Sequence, residues 1–274
     1  MKLQKLRLGL IGKDVSKSLS PEMHTFILNA LGVECEYETF SVQSADFDNA
    51  MRRLLGDFDG FNVTIPYKRD VMEYLDEVVD DAFAFSAVNT VKSSTRSGYN
   101  TDGMGFLQML SEAKIDVLGK KVLVLGGGGS GRSTAAALKN AGAEVSMYQR
   151  RREKLVETCQ ELGVRAAGSA EEGGYDVLIN CTGVGMHDSE GQSPVSEAAF
   201  AGATAAVDLI YVPEETEFLR QAKALGLRTL NGAAMLFYQA YYADCIYLEM
   251  QPDKTQAESL YQAYKAYKKA NKRI

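Results

Sequence analysis

The chain has little of what metal centres and disulfide frameworks are made from. Only two histidines, His24 and His187, occur in 274 residues, and the four cysteines, Cys35, Cys159, Cys181 and Cys245, are scattered without CxxC spacing. That inventory gives no zinc signature and no reason to expect disulfides. Long apolar runs are missing too. Met1-Lys2-Leu3-Gln4-Lys5-Leu6 leads into Arg7-Leu8-Gly9-Leu10-Ile11-Gly12, which is too short a run for a signal peptide and reads as a first strand. No membrane contact is expected, and a reducing cytoplasm is the expected address. Positive charge is in deficit, with 30 Lys and Arg against 36 Asp and Glu, a formal charge of -6. This excludes general binding to nucleic acid while leaving room for a local cluster that grips one phosphate. Repeats and low-complexity segments are absent, and residues 265–273 form a basic helix end that suits the helix dipole.

What is present is an ordinary globular composition, 46% hydrophobic and 24% charged. The length predicts two domains. Strand-like runs at residues 7–11, 36–41 and 61–65 alternate with helical patterns, the rhythm of an α/β domain. Ser20 is expected to cap the first helix with Pro21 in its first turn, and Met23, Phe26, Ile27, Ala30 and Leu31 form its apolar stripe. The rhythm restarts with runs at 121–125, 145–148, 177–180 and 205–210. Helices are expected at 233–250 and 255–269, packed back on the first domain, with Tyr241, Tyr242, Tyr247, Tyr261, Tyr264 and Tyr267 between helices. The expected division is residues 1–101 with 238–274 as one discontinuous domain, and 102–237 inserted as the other.

The apolar run at 122–125 has the character of a parallel strand buried on both faces. It enters Gly126-Gly127-Gly128-Gly129-Ser130-Gly131, in which Gly126, Gly128 and Gly131 satisfy GxGxxG, and a helix is expected over 132–141. Strand, glycine turn and helix in this order form the dinucleotide fingerprint, because the backbone must turn tightly and its amide groups must approach a pyrophosphate. An NAD site places an acid about 20 residues further on. This chain has Tyr148-Gln149-Arg150-Arg151-Arg152 there, and guanidinium groups pair with a 2′-phosphate, so the expected cofactor is NADP.

In Phe61-Asn62-Val63-Thr64-Ile65-Pro66-Tyr67-Lys68, strand alternation sends Phe61, Val63 and Ile65 into a core and puts Asn62 and Thr64 on the other face. Pro66 is expected to end the strand and open a helix near residues 67–70, leaving Lys68 at the sheet rim. Asp102, in Tyr99-Asn100-Thr101-Asp102-Gly103, precedes a helix expected over 104–113 and could simply cap it. A nicotinamide enzyme needs a group to manage the alcohol proton, and neither histidine has a persuasive catalytic context: His24 is expected to make a structural hydrogen bond and His187 to sit in a loop. Lys68 and Asp102 are the best remaining pair, an ammonium to protonate an oxyanion and a carboxylate to orient it.

At this point the residues resemble the shikimate dehydrogenase family. Ser16-Lys17-Ser18-Leu19-Ser20-Pro21 is similar to its serine pair, which implies that Ser18 and Ser20 bind the substrate carboxylate. Residues 62–68 resemble its signature block, with Asn62 and Thr64 on substrate and Lys68 as catalytic lysine; Ala87-Val88-Asn89-Thr90 implies Asn89 on substrate hydroxyls, and residues 100–103 imply Asp102 as catalytic aspartate. Asn180-Cys181-Thr182-Gly183-Val184-Gly185-Met186 resembles a loop near the cofactor, which implies Thr182 there with Cys181 packed beside it. Asp208-Leu209-Ile210-Tyr211-Val212-Pro213 implies Leu209 near nicotinamide and Tyr211 near substrate. Residues 231–239 imply Gly232 and Met235 on nicotinamide and Gln239 on substrate. Gly126, Gly127, Gly128, Gly129, Ser130, Gln149, Arg150 and Arg151 complete the cofactor set.

The resemblance implies an N-terminal α/β substrate domain, an inserted doubly wound Rossmann-type NADP domain and a cleft between them. It implies reversible reduction of 3-dehydroshikimate to shikimate, a step toward chorismate and aromatic amino acids, by a monomer or homodimer. The chain departs from the family in having Asp14 and Lys17 for a proline and a histidine, Gln149 for an asparagine, Gly183 for a serine, Ala233 and Ala234 for a leucine-glycine pair, and no tryptophan. None removes a proposed catalytic group, but Asp14 and Lys17 change the charge beside the serine pair. The alternatives are a quinate/shikimate dehydrogenase with relaxed cofactor use and a non-catalytic ligand-binding regulator.

Overall fold

A computed structural model describes residues 5–79 and 87–271. Met1–Gln4 and the end of the basic stretch at 272–273 lie outside the described residues. The chain forms two compact units, Met1–Gly105 with Phe237–Ile274, and Phe106–Leu236.

Unit 1 is built on a mixed six-stranded sheet of β1 (Lys5–Gly12), β2 (Glu34–Ser41), β3 (Gly60–Val63), β4 (Glu77–Val78), β5 (Thr90–Lys92) and β6 (Ser97–Tyr99), in the order β2-β1-β3-β5-β6-β4. β1 runs parallel to β2 and β3, while β5 is antiparallel to both β3 and β6. Helices α1 (Ser20–Ala30) and α2 (Phe47–Asp57) connect the first three strands. In α2 the spacing of Phe47, Met51 and Leu54 makes one apolar stripe, and all three are buried in a cluster with Ile11, Phe61 and Val63. Each contributes roughly 1.5–3 kcal/mol relative to exposure. Leu6 and Leu8, on alternate positions of β1, enter a second cluster with Leu28, Ala243 and Tyr247. Ala243 and Tyr247 belong to α7 (Ala233–Tyr247), so the closing helices cover this sheet as expected, and α8 (Lys254–Asn271) packs Tyr264 and Tyr267 against Phe26 of α1. Phe237 likewise meets Tyr261 and Tyr264.

Four local expectations are corrected. β3 ends at Val63 and is buried on both faces, so Ile65, expected inside, is 72% exposed. No α-helix follows Pro66; residues 65–69 turn and a 3-10 helix spans Asp70–Tyr74. The reason is tertiary anchoring. Tyr67 stacks on Phe47 at 4.4 Å and donates to the Val42 carbonyl, and the Lys68 carbonyl accepts from the Val88 N–H at 2.8 Å rather than from a helical turn. Ser20 does not cap α1: it is the first helical residue, and its own N–H donates to the Ser18 hydroxyl. In the same helix Met23, His24, Ile27 and Leu28 are the buried residues, while Ala30 is exposed.

Unit 2 carries a second six-stranded sheet of β7 (Lys121–Leu125), β8 (Glu144–Tyr148), β9 (Arg165–Ala166), β10 (Val177–Asn180), β11 (Ala205–Asp208) and β12 (Arg228–Leu230). Its order, β12-β11-β10-β7-β8-β9, with every pairing parallel, is the doubly wound Rossmann arrangement. The register puts Asn180 opposite Leu125 and Leu125 opposite Tyr148, so these strands end in line at the carboxyl edge. The strand order reverses between β7 and β10, and such switch points are where doubly wound sheets bind ligands. Helices α4 (Gly129–Asn140), α5 (Arg152–Leu162) and α6 (Glu217–Ala224) complete the unit. α4 starts three residues earlier than expected, with Gly128 as its N-cap, which brings Gly129, Ser130 and Gly131 into its first turn.

Candidate active site

In unit 1, Lys68 Nζ lies 2.5 Å from Asp102 Oδ2, with the two side chains only 14% and 9% exposed. A pair this dry is tolerated only if the remaining lone pairs also find donors. The second carboxylate oxygen does: Asn89 Nδ2 donates to Asp102 Oδ1 at 2.8 Å. Asp102 opens α3 (Asp102–Glu112) and its N–H donates to Asn100 Oδ1, so the capping role belongs to Asn100 and the Asp102 carboxylate remains available to Lys68.

Asn89 is held from several sides. Its Oδ1 accepts from the Thr101 N–H and the Thr90 hydroxyl, both at 2.9 Å, and its amide nitrogen is 3.5 Å from Gln239 Oε1. Asn62 is 5% exposed; it donates to the Asn89 carbonyl and to Thr90 Oγ1 and accepts from the Tyr37 hydroxyl. Through these bonds Asn62 braces Asn89. Ser18 and Ser20 are hydrogen-bonded to each other at 3.1 Å and remain half-buried. Thr64 packs its methyl group where a Cβ on Gly12 would fall. The structure thus links Ser18 with Ser20, and Lys68, Asp102, Asn89 and Gln239 with one another. Tyr37, Thr90 and Thr101 are given no role by the sequence; Thr90 and Thr101 stand inside quoted motifs beside Asn89 and Asp102, and Tyr37 stands outside every motif.

Behind this network His24 makes the structural hydrogen bond expected of it, to Asp244 at 2.6 Å, with both side chains fully buried. Burial pushes the Asp244 carboxyl up, against the pull of His24. His24 also stacks on Tyr37 at 4.8 Å.

In unit 2, Gly126 has φ +107° and faces the Cys181 carbonyl, so only glycine suits it. A Cβ on Gly131 would collide with the Gly126 carbonyl oxygen, which is the close helix–strand approach that the last glycine of the fingerprint permits. Space beside Gly128 is open. The first turn of α4 has no side-chain cap and no acid, so its N–H groups and dipole are left for an anion. Gln149 lies against Gly127 at the end of β8, and Arg150 and Arg151 are exposed beyond it. Arg152 differs: its guanidinium donates to the Ala167 carbonyl at 2.7 Å. These features fit a dinucleotide carrying an extra phosphate. Burial pushes the Cys181 thiol up to about 12, which suits packing beside the loop.

The loops after β10 and β11 are tied by a network the sequence did not single out. Asn180 Nδ2 donates to both Asp208 oxygens at 3.1 Å, Thr216 Oγ1 donates to Asp208 at 2.7 Å, and Asn180 Oδ1 accepts from Thr182 Oγ1 at 2.6 Å. Thr182 is thereby fixed in the loop. Burial raises the Asp208 carboxyl although three hydrogen bonds oppose it. The Leu209 carbonyl occupies the space a Cβ on Gly232 would need, Met235 is buried, and burial raises the half-buried Tyr211 phenol.

Comparison with known proteins agrees with this geometry. Residues 10–91 match the shikimate dehydrogenase substrate binding domain. A shikimate dehydrogenase (NADP(+)) from Caldanaerobacter subterraneus is 41% identical over 251 residues, 86% of this chain and 89% of the relative. Shikimate 5-dehydrogenase from Thermus thermophilus, solved with NADP(H) and shikimate, superposes with a TM-score of 0.86 at 36% identity, covering 94% of this chain and 99% of that one. A chorismate mutase/shikimate 5-dehydrogenase fusion protein from Clostridium acetobutylicum gives 0.89 at 34% identity, covering 97% and 99%. With a parallel Rossmann sheet, a glycine loop and a lysine-aspartate pair already in place, likeness over nearly the whole length settles the lineage: the chain belongs to the shikimate dehydrogenase family.

Proposed function

We propose that this chain is an NADP-dependent shikimate dehydrogenase that interconverts 3-dehydroshikimate and shikimate, a step toward chorismate and aromatic amino acids. Family membership supports the reaction, and the observation that carries it to particular residues is the 2.5 Å contact between Lys68 Nζ and Asp102 Oδ2. A nicotinamide supplies or accepts the hydride when bound. Lys68 would give a proton from Nζ to the carbonyl oxygen borne by the ring as the ketone becomes an alcohol, and take it back in the reverse direction. Asp102 holds that ammonium in place, with its other oxygen fixed by Asn89.

Ser18 and Ser20 donate to the substrate carboxylate, and Thr64, Asn89, Gln239 and Tyr211 contact the ring and its hydroxyls. The N–H groups at residues 126–130 receive the pyrophosphate, Gln149, Arg150 and Arg151 the 2′-phosphate end, and Thr182, Leu209, Gly232 and Met235 the nicotinamide end. Arg150 and Arg151 are preferred to Arg152 because Arg152 is spent on Ala167. The same reading includes a reducing, cytoplasmic address and a monomer or homodimer. The four unpaired cysteines support the address, and among the described residues no helix is long and apolar enough to cross a membrane. The test is Lys68→Ala. Turnover of shikimate with NADP falls about 10²–10⁴-fold in a variant that circular dichroism shows to be folded; a folded variant that keeps most of its turnover overturns the assignment.

A further inference from the structure

The polar side chains of unit 1 form a hydrogen-bonded chain whose directions are all determined. An ionised Asp102 only accepts, so the Asn89 atom facing it is Nδ2. The Thr101 backbone N–H only donates, which independently places Asn89 Oδ1 on the opposite side. The Thr90 hydroxyl therefore spends its hydrogen on Asn89 Oδ1, at 2.9 Å, and must accept from Asn62 Nδ2, at 3.2 Å. The Asn89 backbone carbonyl only accepts, so it fixes Asn62 Nδ2 the same way. Asn62 Oδ1 is then left to accept from the Tyr37 hydroxyl at 2.9 Å. Every link from Tyr37 to Asp102 points the same way, and like-directed hydrogen bonds polarise one another in a dry interior.

We propose that Tyr37 and Thr90 are positioning residues for the reaction, setting through Asn62 and Asn89 the orientation of the Asp102 carboxylate that holds Lys68. Neither touches the reacting atoms. Thr90 is fully buried and acts one residue from Asp102, on the Asn89 amide. Removing its hydroxyl leaves Asn89 Oδ1 to the Thr101 groups alone and takes away one acceptor of Asn62 Nδ2, which loosens the amide that aims Nδ2 at the carboxylate. Tyr37 stands at the other end of the chain, and the stacked, fully buried His24 holds its ring in place. The two residues therefore act in the same sense with unequal weight. Loss of the Thr90 hydroxyl is felt two hydrogen bonds from Asp102, and loss of the Tyr37 hydroxyl four.

The inference rests on the shikimate dehydrogenase reading, and the experiment separates the two. Thr90→Val, Thr90→Ser and Tyr37→Phe are assayed beside wild type with shikimate and NADP. Thr90→Val lowers kcat about tenfold, which is about 1.4 kcal/mol and the size of one lost hydrogen bond, with the KM for NADP unchanged. Thr90→Ser, which keeps the hydroxyl, restores most of that kcat. Tyr37→Phe lowers kcat less, about two- to threefold, again with the KM for NADP unchanged. Equal kcat values for Thr90→Val and Thr90→Ser, or an unchanged kcat for Tyr37→Phe, overturn the proposal. If Thr90→Val does not fold, Tyr37→Phe decides alone, by whether kcat falls while the KM for NADP holds. If wild type does not oxidise shikimate, the activity reading falls. The crystal structure of a folded Thr90→Val then decides the chain: an Asn89 amide turned away from Asp102 upholds it, and an unmoved one overturns it.

Discussion

Unit 1 holds its polar side chains against one another: Lys68 on Asp102, Asp102 on Asn89, and Asn89 on Thr90, Thr101 and Gln239. Unit 2 does the reverse at its loop, where Gly126 to Gly129 offer only backbone, the first turn of α4 lacks a side-chain cap, and Arg150 and Arg151 stand exposed. The difference follows from what each binds. A small ring with hydroxyls and one carboxylate is recognised by side chains at fixed places, whereas phosphates are recognised by convergent N–H groups and mobile cations. It also predicts opposite modes of failure. A side-chain site fails when a group is lost; a backbone site fails when an atom is gained.

The loss expected to be largest is in unit 1. Asp102→Asn keeps the shape but removes the charge that holds Lys68, and lowers kcat about 10²-fold or more with little change in the KM for NADP, read by steady-state kinetics. Next comes a gain in unit 2. Gly131→Ala sets a Cβ against the Gly126 carbonyl, an overpacking worth about 1–3 kcal/mol, and raises the KM for NADP about 10–100-fold while shikimate binding, followed by isothermal calorimetry, is unchanged. Smaller again is the joint change Arg150→Ala with Arg151→Ala, which raises the KM for NADP about tenfold and leaves that for NAD where it was, since exposed charges are screened.

The smallest expected effect is on stability against pH. Burial lifts the Asp208 carboxyl above its ordinary 3.8, so the folded state binds this proton more tightly than the unfolded state does. Its contribution is complete below pH 3.8 and is lost as pH rises through the folded value. In wild type it therefore adds a downward slope of Tm with rising pH. Asp208→Asn removes that slope, whatever its overall Tm; an unchanged slope would place the titration elsewhere.

Much of this was legible in the sequence. Strands buried on both faces, such as β7 and β10, announce themselves as apolar runs, and the glycines of the loop have no equivalent substitute. The lysine-aspartate pair was also found, because two histidines and scattered cysteines leave few other proton carriers. What escaped notice depends on pairing rather than pattern. β5 and β6, three residues each, are too short to show a period, yet their antiparallel pairing brings Asn89 and Thr90 beside Thr101. The sequence also cannot show that Tyr67 would anchor its turn on Phe47, which left Ile65 exposed and the expected helix unformed. The sequence places Asn62 on a polar face and in a ligand-binding block; the approach of Tyr37 from β2 shows that it is also a brace.

The central claim is tested most directly by one steady-state assay of the purified chain with shikimate and quinate, each crossed with NADP and NAD. The account predicts the highest kcat/KM for shikimate with NADP, with NAD substantially poorer because it offers nothing to Arg150 and Arg151. A strong preference for quinate with NAD, or ligand binding with no turnover in any of the four arms, would contradict it.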